Sequence, residues 1–256
     1  MISFGMLPPT RGWLCVALLA AGATAHAQSS VDVPAGASQT LAGGSMDMAC
    51  GDVTVEGTLD LGGGSLTGVR HLSVAAGGQV ILGTGSITLA GNWANAGTLA
   101  ADTGSVNFVD NAACATQSTI SGNSAFYTLN ITSSANKVTQ FTSGSTQTVQ
   151  HALTLTGVQI QSTAANSPAT INLLTGGTQS LSALSVQDMT ATGQWLAPNQ
   201  TNLLVGGRVS RWFGTPSDGS SELRPVPATS TLSLLGMALA IAGLAARRRR
   251  QPRAHV

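Results

Sequence analysis

The chain has 256 residues, of which only 8% are charged, 43% are hydrophobic and 31 are glycine. This composition has too little charge for a disordered protein. All ten acidic residues lie between residues 28 and 224, where five basic residues occur, so this part has a net charge of −5. Binding to nucleic acid requires clustered positive charge, so nucleic acid is not expected as a partner.

The first 27 residues have the parts of a secretory signal peptide. Arg11 ends a weakly basic start, residues 13–22 form a short apolar core, and the small-x-small sequence AHA places the cleavage site between Ala27 and Gln28. A core of this length cannot span ~30 Å of hydrocarbon at ~1.5 Å per helical residue, which disfavours a permanent N-terminal anchor. The segment therefore predicts export.

The body of the protein is predicted to begin at residue 28. Within residues 28–49, Val31 and Val33 indicate a first edge strand, and the polar residues after them indicate a capping turn. A coil of stacked strands needs such a cap, because its first turn would otherwise expose apolar side chains and unpaired backbone groups.

Residues 51–110 form a ladder of short runs with apolar residues two apart, which is the period of a β-strand. Glycines or polar residues separate the runs. Each run is too short to bury a face alone, so the runs must stack on one another. The predicted inward pairs are Val53/Val55, Leu59/Leu61, Leu72/Val74, Val80/Leu82, Ile87/Leu89 and Val106/Phe108.

The alternation resumes after Asp110, and no helical period persists between residues 28 and 224. We therefore predict an all-β body over residues 28–213 and interpret it as a right-handed parallel β-solenoid, or β-helix, with glycine and asparagine at its corners. The alternative is a β-sandwich, which the short spacing of the runs and the 4% aromatic content disfavour.

Two cysteines remain in the body after Cys15 leaves with the signal peptide. Cys50 precedes the first run of the ladder and Cys114 follows the last, so a disulfide between them would tie the two ends of this block. An exported protein reaches an oxidising compartment, which favours the bridge over two unpaired thiols.

The ionisable residues of the body match no catalytic or metal-binding pattern. A turn of about 20 residues would bring Asp32, Asp52 and Asp110 near one corner of the coil, but solvated surface carboxylates are the simpler interpretation. His71 and His151 are interpreted as surface histidines. The sequence assigns no catalytic residue, no cofactor and no metal ligand, and the chain is not expected to be an enzyme.

The few aromatic residues could serve as platforms for sugars, but we interpret them as plugs at the edges and ends of the coil. They are Trp93, Phe126, Tyr127, Trp195, Trp212 and Phe213, and the last two would cover the final turn.

The C-terminal part changes character after the body. Residues 214–227 form a polar linker rich in Pro, Gly and Ser, and residues 228–256 form a tail that begins with an apolar segment over residues 228–246. About 19 residues span ~28 Å as a helix, which predicts a transmembrane helix in the inner membrane. The cluster that follows predicts a cytoplasmic stop and consists of Arg247, Arg248, Arg249 and Arg250.

The tail has a short motif at residues 226–229, then a small-residue segment, an apolar helix and an arginine cluster. This order resembles the PEP-CTERM sorting signal of Gram-negative bacteria that make extracellular polysaccharide. The matching residues are Val226, Pro227, Ser230-Thr231-Leu232 and Leu234-Leu235-Gly236. Ala228 and Thr229 replace the Glu and Pro of that family, so the related IPTL-CTERM type is the alternative. The resemblance implies that an exosortase-like membrane protease binds the tail transiently, removes the helix and releases the body to the cell surface or matrix.

The body is similar to a pattern that recurs in bacterial surface β-helix proteins, over residues 92–99, 104–108 and 120–131. This resemblance implies a structural or adhesive role at the cell envelope or in the extracellular matrix, with polysaccharide or other surface proteins as partners. The alternative hypothesis is a polysaccharide-acting lyase or hydrolase of the β-helix type, which would need carboxylates converging on one face.

Overall fold

The computed structural model of the protein describes residues 30–204 and 207–214. These residues are all-β, and every pairing between their strands is parallel. The chain coils into a β-solenoid of about eight turns, which confirms the solenoid prediction over the β-sandwich alternative. The right-handed sense of the coil stays a prediction.

The first four turns each contain three short strands. They are β1 (Val31–Val33), β2 (Ser38–Thr40) and β3 (Ser45–Asp47); β4 (Val53–Val55), β5 (Thr58–Asp60) and β6 (Ser65–Val69); β7 (Leu72–Val74), β8 (Gln79–Ile81) and β9 (Ser86–Leu89); and β10 (Trp93–Asn95), β11 (Thr98–Ala100) and β12 (Ser105–Phe108).

The later turns have longer strands. They are β13 (Gln117–Gly122) and β14 (Ser124–Thr132); β15 (Val138–Phe141) and β16 (Thr146–Thr156); β17 (Gln159–Ser162), β18 (Ala169–Leu173) and β19 (Thr178–Ser182); and β20 (Ser185–Gln187) and β21 (Met189–Gly193). The last strand, β22 (Val209–Ser210), stacks on β21.

The strands stack into three faces. Face A has the order β1-β4-β7-β10-β13-β15-β17-β20, and face B has the order β2-β5-β8-β11. Face C runs from β3 through β6, β9, β12 and β14 to β16, where it divides: residues 146–149 pair with β18, whereas residues 152–156 pair with β19. The first halves of β14 and β16, with β18, β21 and β22, thus take the place between faces A and C that face B holds in the first four turns.

The core is a set of columns in which inward side chains of successive turns lie on one another. One column consists of Leu66, Ile87, Val106, Leu129 and Leu153, all of which are buried. All the inward pairs predicted for residues 51–110 are buried as well, because a period of two places alternate side chains inside the coil.

The start of the body differs from its prediction. Residues 31–47 form a complete first turn, with β1 pairing with β4, β2 with β5 and β3 with β6, rather than one edge strand and a capping turn. The glycines at positions 36 and 43 adopt positive φ at its corners, so the polar stretch turns the chain between strands.

The predictions for the two ends of the chain lie outside the described residues. These are the cleavage site at Ala27 and Gln28, the sorting motif at residues 226–229, the apolar segment at residues 228–246 and the arginines at residues 247–250. Within the described ranges, none of the structure is a helix long and apolar enough to cross a bilayer.

Candidate functional site

One regular outward surface of the coil is a group of seven residues that we call the threonine panel. The panel has two columns. The first column runs through β16, β18, β21 and β22, and the second runs through β16, β18 and β21. The register places the members of each column directly on one another. The columns are Thr146, Thr170, Thr190 and Ser210, and Thr148, Asn172 and Thr192.

The panel faces outward because its residues alternate with buried ones. Gln147, Ile171 and Ala191 lie between the two columns in sequence and are fully buried, whereas the threonines on either side are partly exposed. Adjacent strands of a sheet are ~4.8 Å apart and residues two apart on one strand are ~7 Å apart, so the panel is a near-rectangular array of small polar groups.

The side chains of the threonine panel make no hydrogen bond to any other residue in the described part of the chain. A threonine hydroxyl can donate one hydrogen bond and accept two, so these groups can bond to a ligand. Face C is different, because its asparagines satisfy one another: Asn130 Nδ2 donates to Asn107 Oδ1 at 2.8 Å, and Asn107 Nδ2 donates to the Ile87 carbonyl at 3.3 Å.

An aromatic pair lies where the threonine panel meets face C. The strands β14 and β16 shift register between Phe126 and Thr128, and this bulge turns Tyr127 and His151 outward. Their rings stack with centroids 4.7 Å apart and an interplanar angle of 17°. His151 is exposed and Tyr127 is half-buried, so the pair forms a small flat aromatic surface beside the hydroxyl array.

Charge is nearly absent from this half of the coil. Between Asp110 and Asp188 the sequence contains a single residue with a full charge, Lys137, and its side chain is buried. Arg208 and Arg211 lie beside β22, at the C-terminal edge of the panel, and the buried Asp188 directly precedes β21.

Four charged residues lie where face C connects to face A, which we call the C–A corner: Asp52, Arg70, Asp110 and Lys137. Asp52 lies on the connection before β4, and Arg70 and His71 lie on the next one. Arg70 donates to both carboxylate oxygens of Asp52, at 2.8 and 2.6 Å, and the backbone N–H of His71 donates to Oδ1 at 3.2 Å. The hydrogen bond from Arg70 is the main reason that the pKa of Asp52 is lowered.

Further along the same corner, Lys137 extends its side chain back over two earlier connections. Its Nζ donates to the carbonyl of Ala90 and, at 3.2 Å, to that of Val109. Burial lowers the pKa of Lys137, while the nearby Asp110 carboxylate opposes this change.

The Asp110 carboxylate is held by the next connection of the corner. Burial by itself raises its pKa, but hydrogen bonds from the backbone N–H groups of Ser134 and Ala135 and from the hydroxyls of Ser133 and Ser134 outweigh it, so the pKa is lowered.

The disulfide prediction is confirmed. Cys50 and Cys114 are paired, with their Cα atoms 5.1 Å apart. The Asn111 amide lies 3.9 Å from the Cys50 sulfur, and residues 111–115 form a tight turn in which the N–H groups of Cys114 and Ala115 donate to the Asn111 carbonyl.

The predicted grouping of three aspartates holds for two of them. Asp52 and Asp110 both lie on the C–A corner, but Asp32 does not, because it lies in β1 on face A opposite Thr54. The prediction of solvated carboxylates is wrong for Asp188, which is buried and accepts a hydrogen bond from the backbone N–H of Arg208 at 2.8 Å. Among the described residues, no three His, Cys, Asp or Glu side chains are placed to hold a metal ion.

Most aromatic side chains are structural, as predicted, but Trp93 and Phe126 belong to the core of middle turns rather than to an edge or end of the coil. Trp93 and Phe126 are buried against each other, and Trp93 Nε1 donates to the Ser124 hydroxyl at 2.9 Å. Trp212 and Phe213 are buried at the end of the coil, where Trp212 pairs with Leu196.

Sequence reasoning missed the Tyr127–His151 stack and the position of Lys137. The two rings belong to different turns, and the only sequence signal for Lys137 is its isolation in an otherwise uncharged stretch.

Comparison with known proteins gave no match: no family model, no curated protein and no solved structure is significantly similar to this chain.

Proposed function

We propose that this chain is an exported, surface-displayed structural or adhesive β-solenoid of the cell envelope or extracellular matrix, sorted through its C-terminal tail. The observation that carries the proposal is the extended, uncharged and hydrogen-bonding surface of the later turns, which contains the threonine panel. Surface charge keeps most proteins separate in solution, and a coil that omits it over many turns is suited to contact with another surface.

The two ends of the sequence support export and sorting. Cleavage between Ala27 and Gln28 would deliver the body across the inner membrane, and the helix over residues 228–246 would hold it there until an exosortase-like protease acts near Pro227. The disulfide between Cys50 and Cys114 supports this route, because such bonds persist outside the reducing cytoplasm.

The experiment is the intact mass of the protein from washed cells and from the medium of its native host, together with protease treatment of intact cells. A species that begins at Gln28, ends near Pro227 and is digested on intact cells is expected. A species that retains residues 247–250 would mean a permanently anchored protein, and recovery only from the cytoplasm would refute surface display.

The alternative function is a polysaccharide-acting enzyme, and the C–A corner is the place to test it because Asp52, Arg70 and Asp110 lie there. The engagement of both Asp52 oxygens by Arg70 favours a structural carboxylate over a free acid or base. Release of reducing ends or unsaturated products from alginate or cellulose, lost in Asp52→Asn and Asp110→Asn, would instead establish the enzyme.

A further inference from the structure

We propose that the threonine panel binds a neutral, unbranched polysaccharide and that the Tyr127–His151 stack is the platform for one of its sugar rings. This inference rests on the proposed surface role and names the class of ligand.

The geometry of the panel suits a long, flat, repetitive partner. Its seven members lie in two columns fixed by parallel register, and parallel stacking repeats each group at ~4.8 Å along the coil. β-branched threonine has few rotamers, so these hydroxyls and methyls are held in place before a ligand arrives and little side-chain entropy is lost on binding.

The chemistry of the panel matches a sugar better than an apolar or ionic partner. Each threonine presents a hydroxyl beside a methyl group, and a pyranose likewise presents hydroxyls and C–H groups. Because no side chain of the described residues satisfies the panel hydroxyls, a ligand that can both donate and accept hydrogen bonds replaces only water.

The absence of charge selects a neutral glycan. An ionic group buried against the panel would lose its hydration without gaining a counter-charge, which is costly. Arg211 lies just beyond Ser210 and donates to the Gly193 carbonyl at 2.7 Å, so this cation is partly engaged at the edge of the panel.

The aromatic pair supplies the contact that hydroxyl groups alone lack. Sugar rings pack their C–H faces on aromatic rings. Tyr127 and His151 lie at the bulge within β14 and β16, and His151 follows the panel residue Thr148 by three residues on β16. A chain that crosses the threonine panel along β16 therefore meets the stack next.

The test is co-sedimentation of the full-length chain with microcrystalline cellulose, with calcium alginate beads as the acidic comparator. The panel variant is Thr170→Val with Thr190→Val, which removes two hydroxyls and keeps the shape and strand propensity. Its matched control is Thr54→Val with Thr88→Val, two partly exposed outward threonines on faces A and C. A third variant, Tyr127→Leu, removes the platform.

We expect the wild type to be retained on cellulose. The panel variant should bind about tenfold more weakly, because each lost hydrogen bond lowers the affinity by a factor of several. The control variant should bind like the wild type. Tyr127→Leu weakens binding while circular dichroism stays native. Equal binding of all variants, or preference for alginate, would overturn the proposal.

Two further outcomes assign the panel to another partner and would also overturn the proposal. One is inhibition of ice recrystallisation by the wild type, but not by the panel variant, without retention on cellulose. The other is self-association of the wild type that the panel variant does not show. Failure to bind a glycan by a protein that is protease-accessible on intact cells would reject the ligand and leave the surface role standing.

Discussion

The Cα atoms of Cys50 and Cys114 lie 5.1 Å apart, although Cys50 follows the first turn of the coil and Cys114 follows the fourth. Three turns separated by ~4.8 Å each span about 14 Å along the axis. Residues 110–116 must therefore run back along the C–A corner, and the disulfide clamps the second, third and fourth turns from outside.

Reduction of this disulfide is expected to destabilise the protein. The bond closes a loop with a sequence separation of 64, which corresponds to about 4 kcal/mol in the chain-entropy model. Thermal unfolding with and without dithiothreitol measures the effect. The double variant Cys50→Ser with Cys114→Ser should unfold at the same temperature as the reduced wild type and show no response to reductant, and an unchanged wild-type midpoint would contradict the clamp.

The close approach of two turns at Gly122 should make this position intolerant of any side chain. Gly122 has a φ of +75°, and a Cβ there would lie 1.8 Å from the carbonyl oxygen of Asn95 in the turn below. Gly144 is a matched control, because its φ of +73° is similar but a Cβ would meet nothing within 4 Å.

We expect Gly144→Ala to cost roughly 1–2 kcal/mol from the left-handed backbone alone, and Gly122→Ala to cost clearly more because β10 and β13 must separate. Urea unfolding of the two variants measures the difference. Equal midpoints would show that the turns are not packed as closely as the structure has them.

The ion pair at the C–A corner should contribute to stability only above acidic pH. Arg70 lowers the pKa of Asp52 in the folded protein. The ion pair therefore stabilises the fold at pH values above 3.8, the ordinary pKa of the carboxyl group, and this stabilisation is lost as the pH falls through the lowered pKa. Both side chains are about one-third exposed, so solvent screens the pair and the change in midpoint is only about 1–2 °C.

Asp52→Asn is therefore expected to lower the midpoint slightly at pH 7 and to have little effect at pH 2.5. Thermal scans across this range, with Asp32→Asn on face A as the control, measure the contribution. A loss that persists at pH 2.5 would assign the role of Asp52 to packing rather than charge.

How far the sequence predicts this fold depends on the range of the interactions concerned. Pairs such as Ile87/Leu89 and Val106/Phe108 were predicted correctly, because inward and outward positions alternate within a single strand. The grouping of Asp32 with Asp110 failed because it depends on the length of each turn, and the lengths vary: Val53 pairs with Leu72, whereas Trp93 pairs with Ile120.

The same limit explains why the threonine panel was missed as a unit. Thr146, Thr170 and Thr190 become neighbours only once the lengths of the two intervening turns are known, and these differ because an additional loop precedes β18. The sequence indicated many outward hydroxyls, but it could not place them in columns.

Lys137 gives the last prediction, which concerns alkaline pH. Its Nζ donates to the buried carbonyl of Ala90 and the partly buried carbonyl of Val109, so Lys137→Met leaves both without this donor and should cost about 1–3 kcal/mol at pH 7.

Burial lowers the pKa of Lys137 below its ordinary value of 10.5. Between the lowered pKa and pH 10.5 the unfolded chain therefore binds more protons than the folded one. The free energy of unfolding rises with pH in this window. The penalty for burying the ammonium is fully present below that window and is relieved above it. The stability difference between wild type and Lys137→Met should therefore grow in favour of the wild type between pH 7 and 10.5.

Urea unfolding of both proteins at several pH values measures this difference, and residues that titrate in both proteins cancel from it. A difference that stays constant with pH would show that Lys137 keeps its ordinary pKa and that its ammonium remains hydrated at the C–A corner.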